Sequence, residues 1–309
     1  MISTVTPGDF ARSFGTTVDD FSDACRRLME ETNFRFRVLE GASRDAVVLQ
    51  VLKKMDADRQ KIGEEARTQA WFAGWAENLE AYRNSGHSRE ALVPRFIRDG
   101  QVIRLNGQYV QPENPRFELD YMTVFRTWLF GKYLAGCPSL HEFGCGTGLN
   151  LVLCADLFPA MELHGLDFVQ SAVDLVHAIG VAEGRRLQGH LFDMRHPDRN
   201  VRLKPGSGVL TFGAIEQLAG DFEAFLDYLL DVRPAVCIHV EPTVEVYDED
   251  ILFDYLAARF HRQRGYTRGL LPRLELLESE RRIRILKRKR LGFGSLMMEG
   301  YTCMVWQPV

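Results

Sequence analysis

Apolar positions follow a helical pattern in the first half of the chain. Between residues 43 and 84 there is no proline, and apolar side chains recur at intervals of three and four residues. They are Val47, Val48, Val51, Leu52, Met55, Trp71, Trp75, Leu79 and Tyr82. This spacing puts them on one face and predicts one long helix or two. Ser43 can cap the start, and Ser85 with Gly86 supplies a stop.

The rest of the first 135 residues adds a hairpin and a helix. In the run VIRLNGQYV, Asn106 and Gly107 separate two short β-prone segments, which is typical of a type I′ turn. A further helix is predicted from Phe117 to Leu134. Residues 1–135 are therefore predicted to be a mainly helical extension with a β-hairpin, acting as a lid or in acceptor recognition.

From Pro138 the pattern changes to short apolar runs that alternate with amphipathic segments. The runs SLHEF, MELHGLD, LQGHLFD, GVLTFG and AVCIHVE read as strands, with helices starting near Leu149, Ser171, Asp221 and Asp248. RRIRILKRKR and GYTCMVW read as a C-terminal antiparallel hairpin. Residues 136–309 are therefore predicted to be a doubly wound α/β domain with a mostly parallel, seven-stranded sheet.

Composition excludes several classes of protein. Of the 309 residues, 46% are apolar and 26% charged, which argues against disordered, collagen-like and coiled-coil chains. No apolar run reaches the roughly 18 residues of a membrane span, and the N-terminus has no cationic start followed by an apolar run. We expect a cytoplasmic protein. The six cysteines include no C-x-x-C pair, so neither a zinc site nor a disulfide framework is predicted.

The segment 142–148, Glu-Phe-Gly-Cys-Gly-Thr-Gly, lies between the first predicted strand of this domain and a helix. Glycines at alternate positions let the backbone turn tightly and approach a ligand, and a helix start favours negative charge. Asp167 ends the next strand, nineteen residues beyond Gly148, where a carboxylate can bind both hydroxyls of a ribose. Asp193 ends the third strand. The pattern indicates a nucleotide-type site.

Two common nucleotide motifs do not fit this segment. A dinucleotide fingerprint needs Gly or Ala at the sixth position counted from Gly144, where the chain has Leu149. A phosphate-binding Walker loop would need Gly-Lys followed by Ser or Thr, which is absent.

The segment instead resembles the first motif of class I S-adenosylmethionine-dependent methyltransferases, and the resemblance covers about residues 138–309. It implies S-adenosyl-L-methionine as the cofactor, with the glycine loop beside its methionine part, Asp167 on the ribose and Asp193 on the adenine amine. An Asp before a loop is also a common turn-former, so Asp193 has that alternative. The implied cofactor-binding residues are Glu142, Gly144, Cys145, Gly146, Gly148, Asp167, Phe168, Asp193, Met194 and Gly213.

Acceptor groups are expected after the fourth and fifth strands of the sheet. Residues 214–218, Ala-Ile-Glu-Gln-Leu, resemble the Leu-Glu-His segment of ubiquinone-pathway O-methyltransferases and deoxysugar C-methyltransferases, with Gln217 in place of histidine. An amide is no base, so Gln217 is limited to hydrogen bonding. Glu216, His239 and Glu241 are the candidate catalytic residues. For the last two the alternative is structural, with Glu241 paired to an Arg and His239 satisfied in the core.

The absence of several motifs narrows the range of methyl acceptors. No Asp- or Asn-Pro-Pro-Tyr segment follows the fourth strand, no Pro-Cys nucleophile is present, and no carboxylate cluster suggests a metal. O- or C-methylation of a small anionic or saccharide-type acceptor, including one that bears phosphate, is favoured, and nucleic acid is disfavoured. Residues 259–290 carry twelve Arg or Lys against three Glu. An RNA or protein methyltransferase, or a non-catalytic cofactor-binding module, stays open as an alternative.

Two features of the extension bear on the site. The aromatic residues Trp71, Phe72, Trp75 and Tyr82 can form a lid or an acceptor surface, but an aromatic stripe at helical spacing favours core packing. Arg126 lies in the helix that enters the first strand and can reach the cofactor's carboxylate, although surface arginines are common on amphipathic helices.

Overall fold

The first third of the chain forms a small sheet as well as the expected helices. The computed structural model describes residues 2–309. Its first elements are β1 (Ile2–Thr4), α1 (Pro7–Phe14), α2 (Asp23–Glu31), β2 (Arg35–Val38), α3 (Gly41–Ala57), α4 (Glu65–Asn84), β3 (Ile103–Leu105), β4 (Gln108–Pro112) and α5 (Phe117–Tyr133). Short 3₁₀ turns lie at Val18–Asp20 and Arg89–Leu92.

The helical stretch around residues 43–84 is two helices, α3 and α4. Helix α3 begins earlier than predicted, with Glu40 rather than Ser43 at the N-cap. Helix α4 ends at the predicted stop, where Ser85 is the C-cap and Gly86 has a φ of +68°. The β3–β4 hairpin is also as predicted, since Asn106 and Gly107 both have positive φ, at 49° and 79°.

The remaining elements alternate between strands and helices. They are β5 (Ser139–Phe143), α6 (Leu149–Leu157), β6 (Glu162–Asp167), α7 (Gln170–Glu183), β7 (Leu187–Leu191), β8 (Gly208–Phe212), α8 (Glu223–Val232), β9 (Val236–Glu241), α9 (Leu252–Arg264), α10 (Leu270–Ser279), β10 (Ile283–Arg290), β11 (Phe293–Gly294) and β12 (Thr302–Pro308). Further 3₁₀ turns lie at Ile215–Leu218 and Val244–Val246.

Within residues 2–309 the strands make two sheets. The larger has the order β10-β12-β9-β8-β5-β6-β7, in which β5 to β9 are parallel and β12 runs antiparallel to both β9 and β10. This confirms the predicted fold class. The smaller has the order β1-β2-β4-β3-β11, so its last strand comes from the link between β10 and β12. The sequence did not indicate that small sheet.

The large sheet positions the site. Every residue of β5 and β9 is buried, as expected for strands covered on both faces. The chain runs outward from β5 in both directions, to β6 on one side and β8 on the other. Such a reversal leaves a crevice beyond the carboxyl ends of the strands, where α/β proteins bind ligands. Thr147 at this edge donates a hydrogen bond to the carbonyl of Leu92 (2.6 Å), so the N-terminal part of the chain contacts the crevice.

Candidate active site

The glycine loop after β5 has a backbone that favours glycine at each alternate position. Gly144, Gly146 and Gly148 have φ values of +69°, +52° and +73°. A Cβ on Gly144 would also collide with the Cβ of Ala214, in the loop after β8. The loop therefore packs against the neighbouring strand end in a conformation that larger residues would disrupt.

Asp167, at the end of β6, holds the loop. Its Oδ2 accepts a hydrogen bond from the Gly146 N–H and its Oδ1 accepts one from the Val169 N–H, both at 3.0 Å. The side chain is buried, and burial raises the pKa of Asp167 to about 6. Each oxygen keeps a second lone pair, so the carboxylate can still accept hydrogen bonds from a ligand.

A buried polar cluster lies at the start of the loop. Asn150 Nδ2 donates to Glu142 Oε1 at 2.6 Å, while Glu142 Oε2 and Asn150 Oδ1 are buried without a partner among the described residues. Arg126 of α5 is near enough to interact electrostatically with Glu142, and its Nε is likewise buried and unpartnered. Burial raises the pKa of Glu142 to about 8 and lowers the pKa of Arg126. Both side chains are removed from water without a full set of hydrogen-bond partners.

The other cofactor-binding residues implied by the resemblance surround this loop. Phe168 is 45% exposed, and Met194 is buried with its Cε 3.6 Å from the Cβ position of Gly144. Asp193 accepts from the Arg195 N–H at 2.8 Å and contacts His196 at 2.9 Å, the arrangement of a turn-former. Cys145 is a buried free thiol within the loop, and Gly213, with a φ of +65°, follows β8 in open space.

The three candidate catalytic side chains lie in different environments. Glu241 is buried and accepts hydrogen bonds from the backbone N–H groups of residues 214, 215 and 216 at 3.1–3.2 Å. His239 is fully buried, with Nδ1 2.9 Å from Thr211 Oγ1 and Nε2 unpartnered. Glu216 is half-buried. Burial, reinforced by Glu241, raises the pKa of Glu216 to about 8.

Helix α4 contributes contacts that the sequence did not predict. Gln217 Oε1 accepts hydrogen bonds from Trp71 Nε1 at 3.3 Å and Arg67 Nε at 3.4 Å. The Trp75 ring lies against Gly146, with its Cζ2 2.9 Å from the position of a Cβ on that glycine. Of the aromatic residues of α4, Tyr82 is buried in the core, whereas Trp71 and Trp75 are half-buried at the crevice.

One missed site residue had a recognisable signal and the others did not. Asn150 is an amide within the apolar run Leu-Asn-Leu-Val-Leu that starts α6, and a buried polar residue there calls for a partner. The contact between Trp75 and Gly146 joins positions far apart in the chain, which no local pattern encodes.

Two kinds of feature are absent from residues 2–309. No group of three or more His, Cys, Asp or Glu side chains there could hold a metal ion. None of the helices in that range has the length and apolar character needed to cross a membrane.

Comparison with known proteins gives only distant structural similarities. No protein-family model and no curated protein matches the sequence. The [4+2]-cyclase SpnF is 13% identical with a TM-score of 0.48, over 81% of this chain and 99% of its own. Geranyl diphosphate C-methyltransferase from Streptomyces coelicolor A3(2) is 11% identical with a TM-score of 0.47, over 75% and 98%. An rRNA methylase from Escherichia coli is 12% identical with a TM-score of 0.45, over 86% and 92%.

The names of these structures state different chemistries, namely a cyclase, a C-methyltransferase and an rRNA methylase. The mostly parallel seven-stranded sheet with its antiparallel C-terminal strand is the architecture that the sequence resemblance predicts. Because one fold hosts many reactions, the chemistry has to be argued from the residues of the site.

Proposed function

We propose that the chain is an S-adenosyl-L-methionine-dependent methyltransferase. The observation that carries this proposal is the unpartnered set of Glu142 Oε2, Asn150 Oδ1 and Arg126 Nε beside the glycine loop. Leaving such a buried atom without a partner costs roughly 1–3 kcal/mol. An amino acid supplies the complementary groups, with an ammonium for the two oxygens and a carboxylate for the guanidinium. The methionine part of the cofactor carries both.

The neighbouring strand end suits the adenosyl part. Asp167 already orders the loop through Gly146 and has lone pairs free for ribose hydroxyls. Phe168 offers a half-exposed ring that can pack against adenine. The Asp193 side chain already accepts a hydrogen bond from the Arg195 N–H of its own turn, so we assign it a supporting role at most.

Glu216 is the side chain we propose to take a proton from the acceptor. When bound, the cofactor supplies an electrophilic methyl group on a sulfonium sulfur. Glu216 is half-buried and accepts one side-chain hydrogen bond, from Gln217 Nε2 at 2.6 Å, whereas Glu241 is occupied by three backbone N–H groups and His239 is enclosed. With a pKa of about 8, Glu216 is roughly one-tenth ionised at pH 7, so it holds the acceptor's proton readily after transfer.

The surroundings of Glu216 favour a small anionic acceptor, methylated on oxygen or carbon. Arg67 lies close enough to interact with Glu216, and its hydrogen-bond partners are the amide oxygens of Gln217 and Gln60 rather than a carboxylate. A half-buried guanidinium with neutral partners can bind a carboxylate or phosphate of the acceptor.

The basic segment gives less support to an RNA acceptor. Six of its twelve cations are in ion pairs with Asp or Glu, namely Arg259, Arg262, Arg264, Arg273, Arg288 and Arg290. Paired cations contribute little to the phosphate contacts that dominate RNA affinity.

Calorimetry with two ligands tests the cofactor assignment. S-adenosylhomocysteine has the amino-acid end and 5′-methylthioadenosine lacks it, while both carry the adenosyl thioether. The wild-type protein should bind both, and Arg126→Met should weaken only S-adenosylhomocysteine, by about 10- to 100-fold, through loss of a charge-assisted hydrogen bond. Failure of the wild-type protein to bind S-adenosylhomocysteine would refute the proposal. If Arg126→Met weakened the binding of both ligands equally, the role of Arg126 would be refuted.

Turnover separates an enzyme from a binding module. Isotope-labelled S-adenosylmethionine incubated with fractionated metabolite extracts should give a labelled small molecule. The rate should rise with pH up to about 8 in the wild-type protein, because Glu216 must be ionised to accept a proton. Glu216→Gln should lower the rate and remove that limb of the pH profile while leaving cofactor affinity unchanged. Binding without any labelled product would indicate the non-catalytic module.

A further inference from the structure

The N-terminal half of α4, residues 65–77, covers the crevice with partly exposed aromatic side chains. Trp75 lies on Gly146, and Trp71 stacks on Trp75 with 5.2 Å between ring centroids and 27° between planes. Phe72 is 41% exposed and meets Phe168 edge-on at 5.9 Å. The contacts to Gly146 and Phe168 fall on positions that the proposed function assigns to the cofactor.

The two halves of α4 are anchored very differently. In the C-terminal half, Asn78, Leu79 and Tyr82 are buried, and Asn78 Nδ2 donates to the Ala91 carbonyl at 2.7 Å. In the N-terminal half no residue from 65 to 77 is buried. Its polar attachment to the large sheet is the pair of bonds from Arg67 and Trp71 to Gln217, at 3.3–3.4 Å. Few buried contacts mark a segment that opens at low free-energy cost.

Gly74 lies near the junction of these halves. A Cβ at this position would meet no atom within 4 Å, so packing does not require a glycine there. Glycine in the middle of a helix weakens it relative to alanine, because the unfolded backbone has more freedom. Gly74 therefore weakens the helix within its unanchored half, which favours local unwinding of residues 65–77.

We propose that residues 65–77 form a lid that opens by local unwinding up to the anchored part at Asn78, and that Trp75 must leave Gly146 before the cofactor can bind. This inference rests on the proposed function, because the methionine part of the cofactor would run along the loop that Trp75 covers. The bonds from Arg67 and Trp71 to Gln217 act as the latch. Since Gln217 adjoins Glu216, opening the lid also uncovers the acceptor side of the crevice.

Hydrogen exchange tests the lid without any ligand. Backbone amides of residues 69–77, which make helical hydrogen bonds, should exchange at least tenfold faster than those of residues 78–84 of the same helix. Equal protection of the two halves would overturn the lid. Adding S-adenosylhomocysteine should then alter exchange in residues 69–77 and leave residues 78–84 unchanged.

Binding kinetics test the role of Trp75. Trp75→Ala should raise the association rate constant of S-adenosylhomocysteine about fivefold or more, because the ring no longer blocks Gly146. Gly74→Ala should lower it, since a stiffer helix opens less often. Leu49→Ala is the matched control, because Leu49 is a 51% exposed apolar residue on α3, and it should leave the rate unchanged.

The outcomes separate the lid from the proposed function. If S-adenosylhomocysteine binds wild-type protein and Trp75→Ala with the same association rate constant, the lid is wrong and the proposed function stands. If it binds neither protein, the proposed function is wrong, and the lid proposal falls with it because it assumes that the cofactor binds under the lid. Faster association in Trp75→Ala, with slower association in Gly74→Ala, supports both.

Discussion

Glu142, the penultimate residue of β5, and Glu241, the last residue of β9, lie at the ends of parallel strands, yet their environments differ in one respect. Both are buried, and burial raises the pKa of Glu142 to about 8 and that of Glu241 to about 7. The oxygens of Glu241 receive three backbone N–H groups from the loop after β8. Glu142 receives one amide from Asn150 and keeps an unpartnered oxygen.

The difference separates a structural carboxylate from one available to a ligand. A buried carboxylate whose oxygens are occupied by its own backbone fixes that backbone, and further binding would break existing bonds. A buried carboxylate with a free oxygen is costly until something fills it. Glu241 therefore supports the loop after β8, whereas Glu142 keeps an oxygen that the proposed cofactor could occupy.

The largest effect is expected from removing the framework carboxylate. Glu241→Ala should lower the free energy of unfolding by about 3 kcal/mol or more, because three buried N–H groups lose their acceptor. Urea denaturation measures this change. Glu249→Ala, which removes an exposed ion pair with Arg262, should cost far less. Equal losses in the two variants would contradict a framework role for Glu241.

A smaller effect on binding is expected at the ribose position. Asp167→Ala should weaken the binding of S-adenosylhomocysteine by about 1–3 kcal/mol. The substitution removes the proposed hydrogen-bond acceptor for the ribose and leaves the Gly146 N–H without its partner. Calorimetry measures the change. The binding of 5′-methylthioadenosine should weaken by a similar amount, because this ligand has the same ribose. An unchanged affinity for both ligands would remove Asp167 from the site.

Glu142→Gln tests the other carboxylate of the comparison between Glu142 and Glu241. It should weaken S-adenosylhomocysteine about tenfold, or about 1.4 kcal/mol, and should not destabilise the fold at pH 8. The sign follows from the raised pKa of Glu142, because its stabilising contribution is complete below about pH 4.5 and is lost as the pH rises through about 8. Urea denaturation of both proteins at pH 5 and pH 8 should show that the free energy of unfolding falls less between these pH values in the variant than in the wild-type protein. A steeper decline would contradict the assignment.

The smallest effect concerns His141, the residue before Glu142 in β5. Its ring is buried, stacks on His164 at 4.4 Å, and has an unpartnered Nδ1. Burial, with His164 and His190 nearby, lowers the pKa of His141 to about 3. Its contribution is therefore present above about pH 6.5 and lost as the pH falls below that value.

Between pH 7 and pH 5.5 this should cost about 1 kcal/mol of unfolding free energy. His141→Phe should reduce the acid sensitivity measured by urea denaturation at the two pH values. An identical loss in wild type and variant would assign the sensitivity to other groups.

The sequence predicted the features that depend on local pattern. The parallel strands, the Asn106–Gly107 hairpin and the position of the glycine loop follow from short-range periodicity and turn chemistry. The small sheet did not follow, because β1 is three exposed residues long and β11 only two. The distinction between Glu142 and Glu241 did not follow either, since it depends on which N–H groups reach each carboxylate.

The two-residue strand β11 makes the small sheet depend on nearly the whole chain. Phe293 pairs with Leu105 and its ring stacks on Tyr121 of α5, with centroids 3.9 Å apart. During synthesis from the N-terminus, the open edge of β3 therefore has no partner until about residue 294 has emerged. Contacts this distant in sequence slow folding and leave an unpaired strand exposed to other chains. A fragment ending near residue 135 would keep that edge bare permanently and should tend to aggregate.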